Sequence, residues 1–156
     1  MDAKNKKELK VSAIKNGTVI DHIPAKNLFK VISILELKRI DTQITIGYNF
    51  ESKKLGKKGI IKIAEKFPDQ KDLNKIAIIA PEAKVNIIKN FNVVDKKIVQ
   101  VPDHVEGIIK CMNPKCITNH ETVIPKFDVV AKKDVALKCC YCEKITDQEH
   151  FSLYSI

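Results

Sequence analysis

The sequence predicts an α+β protein in two parts, a mixed sheet-and-helix module of about 100 residues followed by a small β-rich module. Three observations lead there. Segments of alternating apolar residues are interleaved with segments of helical spacing before position 100. All five cysteines, Cys111, Cys116, Cys139, Cys140 and Cys142, fall in the last third. Between the two regions Val101-Pro102-Asp103 breaks the apolar pattern and His104 to Glu106 is polar, which reads as a linker. The expected division is 1–102 and 103–156.

The elements of the first module follow in order. Leu9, Val11 and Ala13 alternate with Lys10 and Ser12 as a half-buried strand. Asn16-Gly17 makes a turn, and Thr18 to Ile23 reads as a second strand. After Pro24, a helix is expected over Ala25 to Leu37, with Leu28, Val31, Ile32 and Leu35 on one face. Ile44, Ile46, Tyr48 and Phe50 alternate with polar residues as a strand with one wet face. Ser52 to Gly59 reads as a basic turn, and Ile60, Ile61 and Ile63 as the returning strand. Phe67-Pro68 stops it, Asp69 to Ala80 is helical up to Pro81, and Val85 and Ile87 mark another strand. Asn90 then turns the chain into Phe91 to Val94. Taken together this is strand–helix–strand twice over, the split βαβ of a ferredoxin-like α/β sandwich with extra edge strands. Both helices would cover one face of the sheet.

Composition narrows the function. A chain of 156 residues with 44% hydrophobic and 30% charged residues is a folded protein and not a disordered one. With no Trp and 6% aromatics, its core must be aliphatic. No run approaches the roughly 20 apolar residues of a membrane helix. The lysine-rich start, Met1 to Lys10, also lacks the apolar stretch of a secretory signal. A cytoplasmic location and no membrane partner are therefore expected. The net charge of +9 invites a nucleic-acid reading, but Arg39 is the lone arginine among 28 basic residues. Arginine usually supplies the bidentate contacts to guanine and phosphate. Phosphate binding at a few defined lysines fits this charge better, and no nucleic-acid partner is expected.

Cys111-Met-Asn-Pro-Lys-Cys116 and Cys139-Cys-Tyr-Cys142 are two close pairs separated by 22 residues. Two such turns can converge on one tetrahedral centre, and in a reducing compartment they point to zinc ahead of disulfides or an iron–sulfur cluster. Cys139 with Cys142 has the familiar two-residue gap, whereas Cys140 with Cys142 has an awkward one-residue gap, so Cys140 reads as a bystander. His120 could replace one cysteine. Four protein ligands leave no open position, so one structural Zn²⁺ per chain is expected.

No catalytic constellation is visible. Asp21-His22 is an adjacent acid–histidine pair, but neighbours on a strand point to opposite faces. With five glycines there is neither a Gly-x-Gly-x-x-Gly nor a P-loop. A nucleotide-hydrolysing enzyme would need a base or a metal-binding carboxylate pair. A nucleic-acid binder built on a zinc ribbon would want an aromatic stacking platform. Neither is present.

The run Asn16-Gly-Thr-Val-Ile-Asp-His-Ile-Pro24 resembles the N-terminal signature of the regulatory chain of aspartate carbamoyltransferase. Matches continue in order through Ile44-Thr-Ile-Gly47, Gly56-Lys-Lys-Gly-Ile-Ile-Lys-Ile63, Ala80-Pro81, Val85-Asn86 and Val93-Val94. In the second module they are Cys111-x-Asn113, Cys116-Ile117, Ala136-Leu-Lys-Cys139 and Tyr141-Cys-Glu-Lys144. The resemblance implies a non-catalytic subunit: a nucleotide-binding domain, then a zinc domain that docks on the catalytic chain. It also implies regulatory homodimers that bridge two catalytic trimers, with CTP and ATP as effectors and UTP as a further candidate. The implied pocket places Val11, Ala13 and Ile14 near the base, and Asp21 and His22 by the ribose and phosphates. Lys58 and Lys62 lie by the phosphates, Asn86, Ile88 and Phe91 round the base, and Val93 and Lys96 close it. Asn113 and Lys144 are the implied interface candidates, and Cys140 stands where the family requires no cysteine.

Overall fold

The computed structural model describes residues 13–154. Five antiparallel strands form the first sheet: β1 (Gly17–Pro24), β2 (Ile44–Ser52), β3 (Gly56–Ala64), β4 (Lys84–Lys89) and β5 (Asn92–Ile98). Their order is β2-β3-β1-β4-β5. Helices α1 (Leu28–Ile34) and α2 (Gln70–Ile79) are the two crossovers. Strands β1 to β4 and the two helices are the expected ferredoxin-like split βαβ, and β5 is the added edge strand. The predicted strand over Leu9 to Ala13 lies almost wholly outside the described residues, and Ala13 and Ile14 are irregular.

Side chains sort by the period-2 rule. Ile20 pairs with Ile61 on one side and Val85 on the other, and all three are buried beneath the helices. Leu28, Val31 and Ile34 of α1 and Leu73, Ile76 and Ile79 of α2 cover them. Each fully buried aliphatic side chain contributes about 1.5–3 kcal/mol. Close approach of α1 requires Gly59, because a Cβ there would lie 2.7 Å from Leu28 Cδ1. At the start of α2, Asp69 accepts from the Asp72 N–H at 2.8 Å and Asp72 accepts from the Asp69 N–H at 3.2 Å, a reciprocal cap.

Several expectations need correction. The first helix is shorter than Ala25 to Leu37: a 3-10 turn occupies Ala25–Asn27, the α-helix runs over Leu28–Ile34, and Glu36 adopts φ 53 before a second 3-10 turn, Leu37–Arg39. The basic turn contracts to three residues, since Gly56 to Gly59 already pair in β3. On β2 the alternation fails to bury one face. A bulge with Asn49 at φ 63 shifts the register, and Phe50 fills the space a side chain at Gly47 would need. Ile46 and Tyr48 stay about half exposed, with Tyr48 meeting Phe29 edge-on at 5.2 Å. Phe91 is the second turn residue, not the first of its strand; Asn90 and Phe91 both have positive φ, the backbone of a tight hairpin.

The second module contains β6 (His104–Glu106), β7 (Ile109–Lys110), β8 (Lys126–Ala131), β9 (Ala136–Cys139), β10 (Ile145–Asp147) and β11 (Ser152–Leu153). Four make a sheet in the order β10-β9-β8-β6, and β11 pairs with β7. The polar stretch expected as linker is therefore a strand, with Val105 buried opposite Phe127. Apolar residues of both modules form one continuous core. No helix among the described residues is long and apolar enough to cross a membrane.

Candidate functional site

Two turns present the four expected cysteines to one point. Cys111 follows β7 and Cys116 precedes a 3-10 turn at Ile117–Asn119; Cys139 ends β9, and Cys142 sits in the knuckle that leads to β10. Their sulfurs all lie within 4.8 Å of one another. Cys111 Sγ is 3.6 Å from Cys142 Sγ, and Cys116 Sγ is 3.7 Å from Cys139 Sγ. Those separations exceed a disulfide bond, about 2.05 Å. They match the edge of a tetrahedron with metal–sulfur bonds of about 2.3 Å, which is about 3.8 Å. The donor set fits a closed four-thiolate centre. Cys140 is exposed and His120 is exposed, and neither joins the cluster.

Neighbouring groups support the thiolates. The Tyr141 N–H donates to Cys139 Sγ at 3.4 Å, and Thr118 Oγ1 donates to Cys116 Sγ at 3.2 Å. Asn119 Nδ2 donates to the carbonyls of Cys111 at 3.0 Å and Asn113 at 2.7 Å, tying the first turn together. Burial pushes the Cys111 and Cys139 thiols up. Burial also opposes ionisation of Cys142, yet hydrogen bonds from the Asn113 side chain and the Lys144 backbone N–H hold its thiol down at about 7. Four thiols this close shed their protons together only against a cation. Asn113 thus serves the turn itself, whereas the Lys144 side chain is exposed. Both border an open depression with Met112, Pro114, Glu143 and Ile145.

The implied nucleotide residues occupy the other face of the first sheet. Register places Lys62 opposite Val19, Val19 opposite Asn86, and Asn86 opposite Lys96. These four residues form one row across β3, β1, β4 and β5, on the face away from the helices. Lys58 lies on the same face of β3 as Lys62, two pleats along. Its Nζ is 3.0 Å from Asp21 Oδ1, an ion pair with both side chains about one-fifth to one-quarter exposed. Lys84 pairs opposite Asp21, so two cations flank that carboxylate.

His22 departs from expectation. A bulge between Ile20 and Ile23 puts it at φ 60, so it does not simply face away from Asp21. Its N–H donates to Asp21 Oδ1 at 2.6 Å, and its Nδ1 lies 3.6 Å from Asp21 Oδ2. That ring nitrogen is buried without a hydrogen-bond partner. Desolvation lowers the imidazole pKa below its usual value; Asp21 works against this, and Lys58, Lys84 and Lys54 add to it.

Two residues along β4 from Asn86, Ile88 is buried opposite Gly17, while Phe91 and Val93 are exposed. The Phe91 N–H donates to the Lys15 carbonyl at 2.9 Å, and the Asn90 N–H donates to Asn16 Oδ1 at 3.1 Å. The hairpin tip therefore sits against Lys15 and Asn16, which follow directly on the exposed Ala13 and the buried Ile14. Val11 lies outside the described residues. The structure thus gathers the lysines, Asp21 and Asn86 on one face, with the Asn90–Phe91 tip at its end. Sequence reasoning missed Val19, Lys84, Thr118 and Asn119. The first two become visible only through strand register; the last two stand directly after Cys116, where a supporting shell is to be expected.

Comparison with known proteins agrees with this layout. Residues 9–100 match the family model described as the aspartate carbamoyltransferase regulatory chain, allosteric domain. Residues 103–152 match that for the same chain's metal binding domain. The chain is 52% identical over 151 residues to the aspartate carbamoyltransferase regulatory chain of Bacteroides fragilis, covering 97% of this chain and 99% of the relative. It is 54% identical over 142 residues to that of Thermococcus sibiricus, covering 91% and 94%. With that of Pyrococcus horikoshii it shares 51% identity over 144 residues, covering 91% and 95%.

Proposed function

The chain belongs to the family of aspartate carbamoyltransferase regulatory chains, and from that premise we propose how it carries a nucleotide signal to its catalytic partner. Residues 1–102 bind CTP or ATP, with UTP a further candidate, and residues 103–156 hold one structural Zn²⁺ and dock on the catalytic chain. The subunit catalyses nothing itself and serves feedback control of pyrimidine biosynthesis. Two copies pair as a dimer, for which the sheet offers the open edges of β2 and β5, and the dimers bridge catalytic trimers.

The observation that carries this reading is the row Lys62–Val19–Asn86–Lys96, flanked by the Asp21–Lys58 pair. Lysine ammonium groups donate to phosphate oxygens, and an ionised Asp21 retains capacity to accept from ribose hydroxyls while it holds Lys58. Main-chain groups at the Asn90–Phe91 tip and at Ala13–Asn16 read a base edge. The four cysteines would hold zinc with no open position, so the metal's chemistry there is structural. Regulation requires that the nucleotide bind one quaternary state better than the other, since equal affinity shifts nothing. A two- to tenfold effect needs about 0.4–1.4 kcal/mol of differential binding.

Co-purification with a tagged cognate catalytic chain tests the reading. The expected result is a complex that titrates CTP and ATP competitively and falls apart when the metal is chelated. A chain that neither assembles nor binds either nucleotide would overturn it.

A further inference from the structure

The two modules meet at the end of α2. A helix leaves its last carbonyls without partners inside the helix, and Pro81 just beyond has no N–H to offer. Here the donor comes from the other module. Gln148 Nε2 donates to the Ile79 carbonyl at 3.0 Å and reaches the Ile78 carbonyl at 3.4 Å. The buried Asn27 fills the second acceptor site of Ile79, its Nδ2 at 3.1 Å. The Gln148 carbonyl in turn lies 3.5 Å from Lys30 Nζ. Side chain and main chain of one half-buried glutamine are thus both held by the first module, in a crevice bordered by Lys26, Asn27, Lys30 and Glu149.

The position of this contact matters more than its strength. Elsewhere the modules join through apolar side chains such as Val99, Val101, Ile108 and Leu153. Apolar contact has no direction and tolerates sliding. Hydrogen bonds to carbonyls weaken steeply when distance or angle changes. On one side of the bond, α2 leads through Ala80 to Ala83 into β4, which carries Asn86 and Ile88. On the other side, Gln148 directly follows β10, which pairs with β9, and β9 ends at Cys139.

We propose that Gln148 is the positioning residue that couples the two modules: its carboxamide locks the end of α2 to the metal module, so a shift of β4 on nucleotide binding is passed to the cysteine centre. This rests on the proposed regulatory function and adds the route to it. The coupling needs the N–H donor at that length; an apolar or acceptor-only side chain of the same length leaves the apolar seam but removes the lock.

Gln148→Met keeps the length and lacks the donor; Gln148→Glu keeps the shape and can only accept at neutral pH. Each is assembled with the cognate catalytic chain and measured three ways: metal content, CTP affinity by calorimetry, and aspartate saturation with and without CTP. Metal content and CTP affinity should match the unaltered chain. The ratio of half-saturating aspartate with and without CTP should fall to about 1, the value for uncoupled sites. An unaltered complex that responds to CTP beside a Gln148→Met complex that responds equally would overturn the coupling role alone. An unaltered complex that ignores every nucleotide would instead remove the regulatory function beneath it. If Gln148→Met does not assemble, Gln148→Glu decides; metal loss or failed assembly in both would make Gln148 a folding residue and end the proposal.

Discussion

Replacing Cys139 by Ser tests the metal centre where geometry and burial make the sharpest demand. Cys139 is 1% exposed, its sulfur lies 3.7 Å from that of Cys116, and it accepts the Tyr141 N–H. Cys140, one residue on, is exposed and outside the cluster. Structural zinc in such sites contributes about 10–16 kcal/mol of apparent binding free energy near neutral pH. An even division over four thiolates makes each worth about 2.5–4 kcal/mol, or about two to three orders of magnitude in metal affinity. Cys139→Ser should therefore lose zinc to a chelator that leaves the unaltered chain loaded. Its second module should unfold at a lower temperature, since Val105, Phe127 and Leu137 share one buried cluster with Cys111, Cys116 and Cys139. Cys140→Ser should do neither. The assay is metal content after dialysis against chelators of graded strength, read beside thermal unfolding. Full zinc retention by Cys139→Ser, or loss from Cys140→Ser, would refute the assignment.

Other substitutions probe the proposed nucleotide face. Lys62→Ala and Lys96→Ala should each weaken triphosphate binding by about 1–3 kcal/mol, the scale of a charge-assisted hydrogen bond. Lys71→Ala, on α2 behind the sheet, should change it little; equal losses at all three in calorimetry would mean that general positive charge attracts the nucleotide. His22 makes stability depend on pH. Its folded pKa lies below the unfolded value near 6.5, so above that value both states are neutral and no difference arises. As pH falls below 6.5 the unfolded chain takes the proton first and stability drops. Urea unfolding should show a smaller acid loss between pH 7 and pH 5, roughly the range over which histidine titrates, for His22→Gln than for the unaltered chain. Parallel pH curves would sink the idea.

Legibility in the sequence followed the range of the interactions involved. The turn and β-rich run from Asn16 to Ile23 and the helical stretch from Asp69 to Ala80 are local signals, and both elements form where expected. The cysteine pairs were equally plain, because two ligands from one tight turn leave a short-range signature. What escaped depends on partners far along the chain. The bulge that folds His22 back on Asp21 arises from pairing with β3 some 40 residues later, and the row of Lys62, Val19, Asn86 and Lys96 exists only once three registers are set. At its C-terminal end the first helix stops at Ile34, and the chain turns at Glu36, whose positive φ no periodicity announces. Gln148 was invisible for the same reason: an exposed-looking polar residue gains meaning from carbonyls 69 and 70 positions away.

The central claim is that this chain controls an activity it does not possess, and aspartate saturation of the reconstituted complex tests it most directly. Alone, the chain should transfer no carbamoyl group. Assembled with zinc and the cognate catalytic chain, it should shift the aspartate curve in opposite or unequal ways when CTP or ATP is added. Identical curves under every nucleotide, from a complex shown to be assembled and metal-loaded, would leave a structural scaffold and contradict the claim.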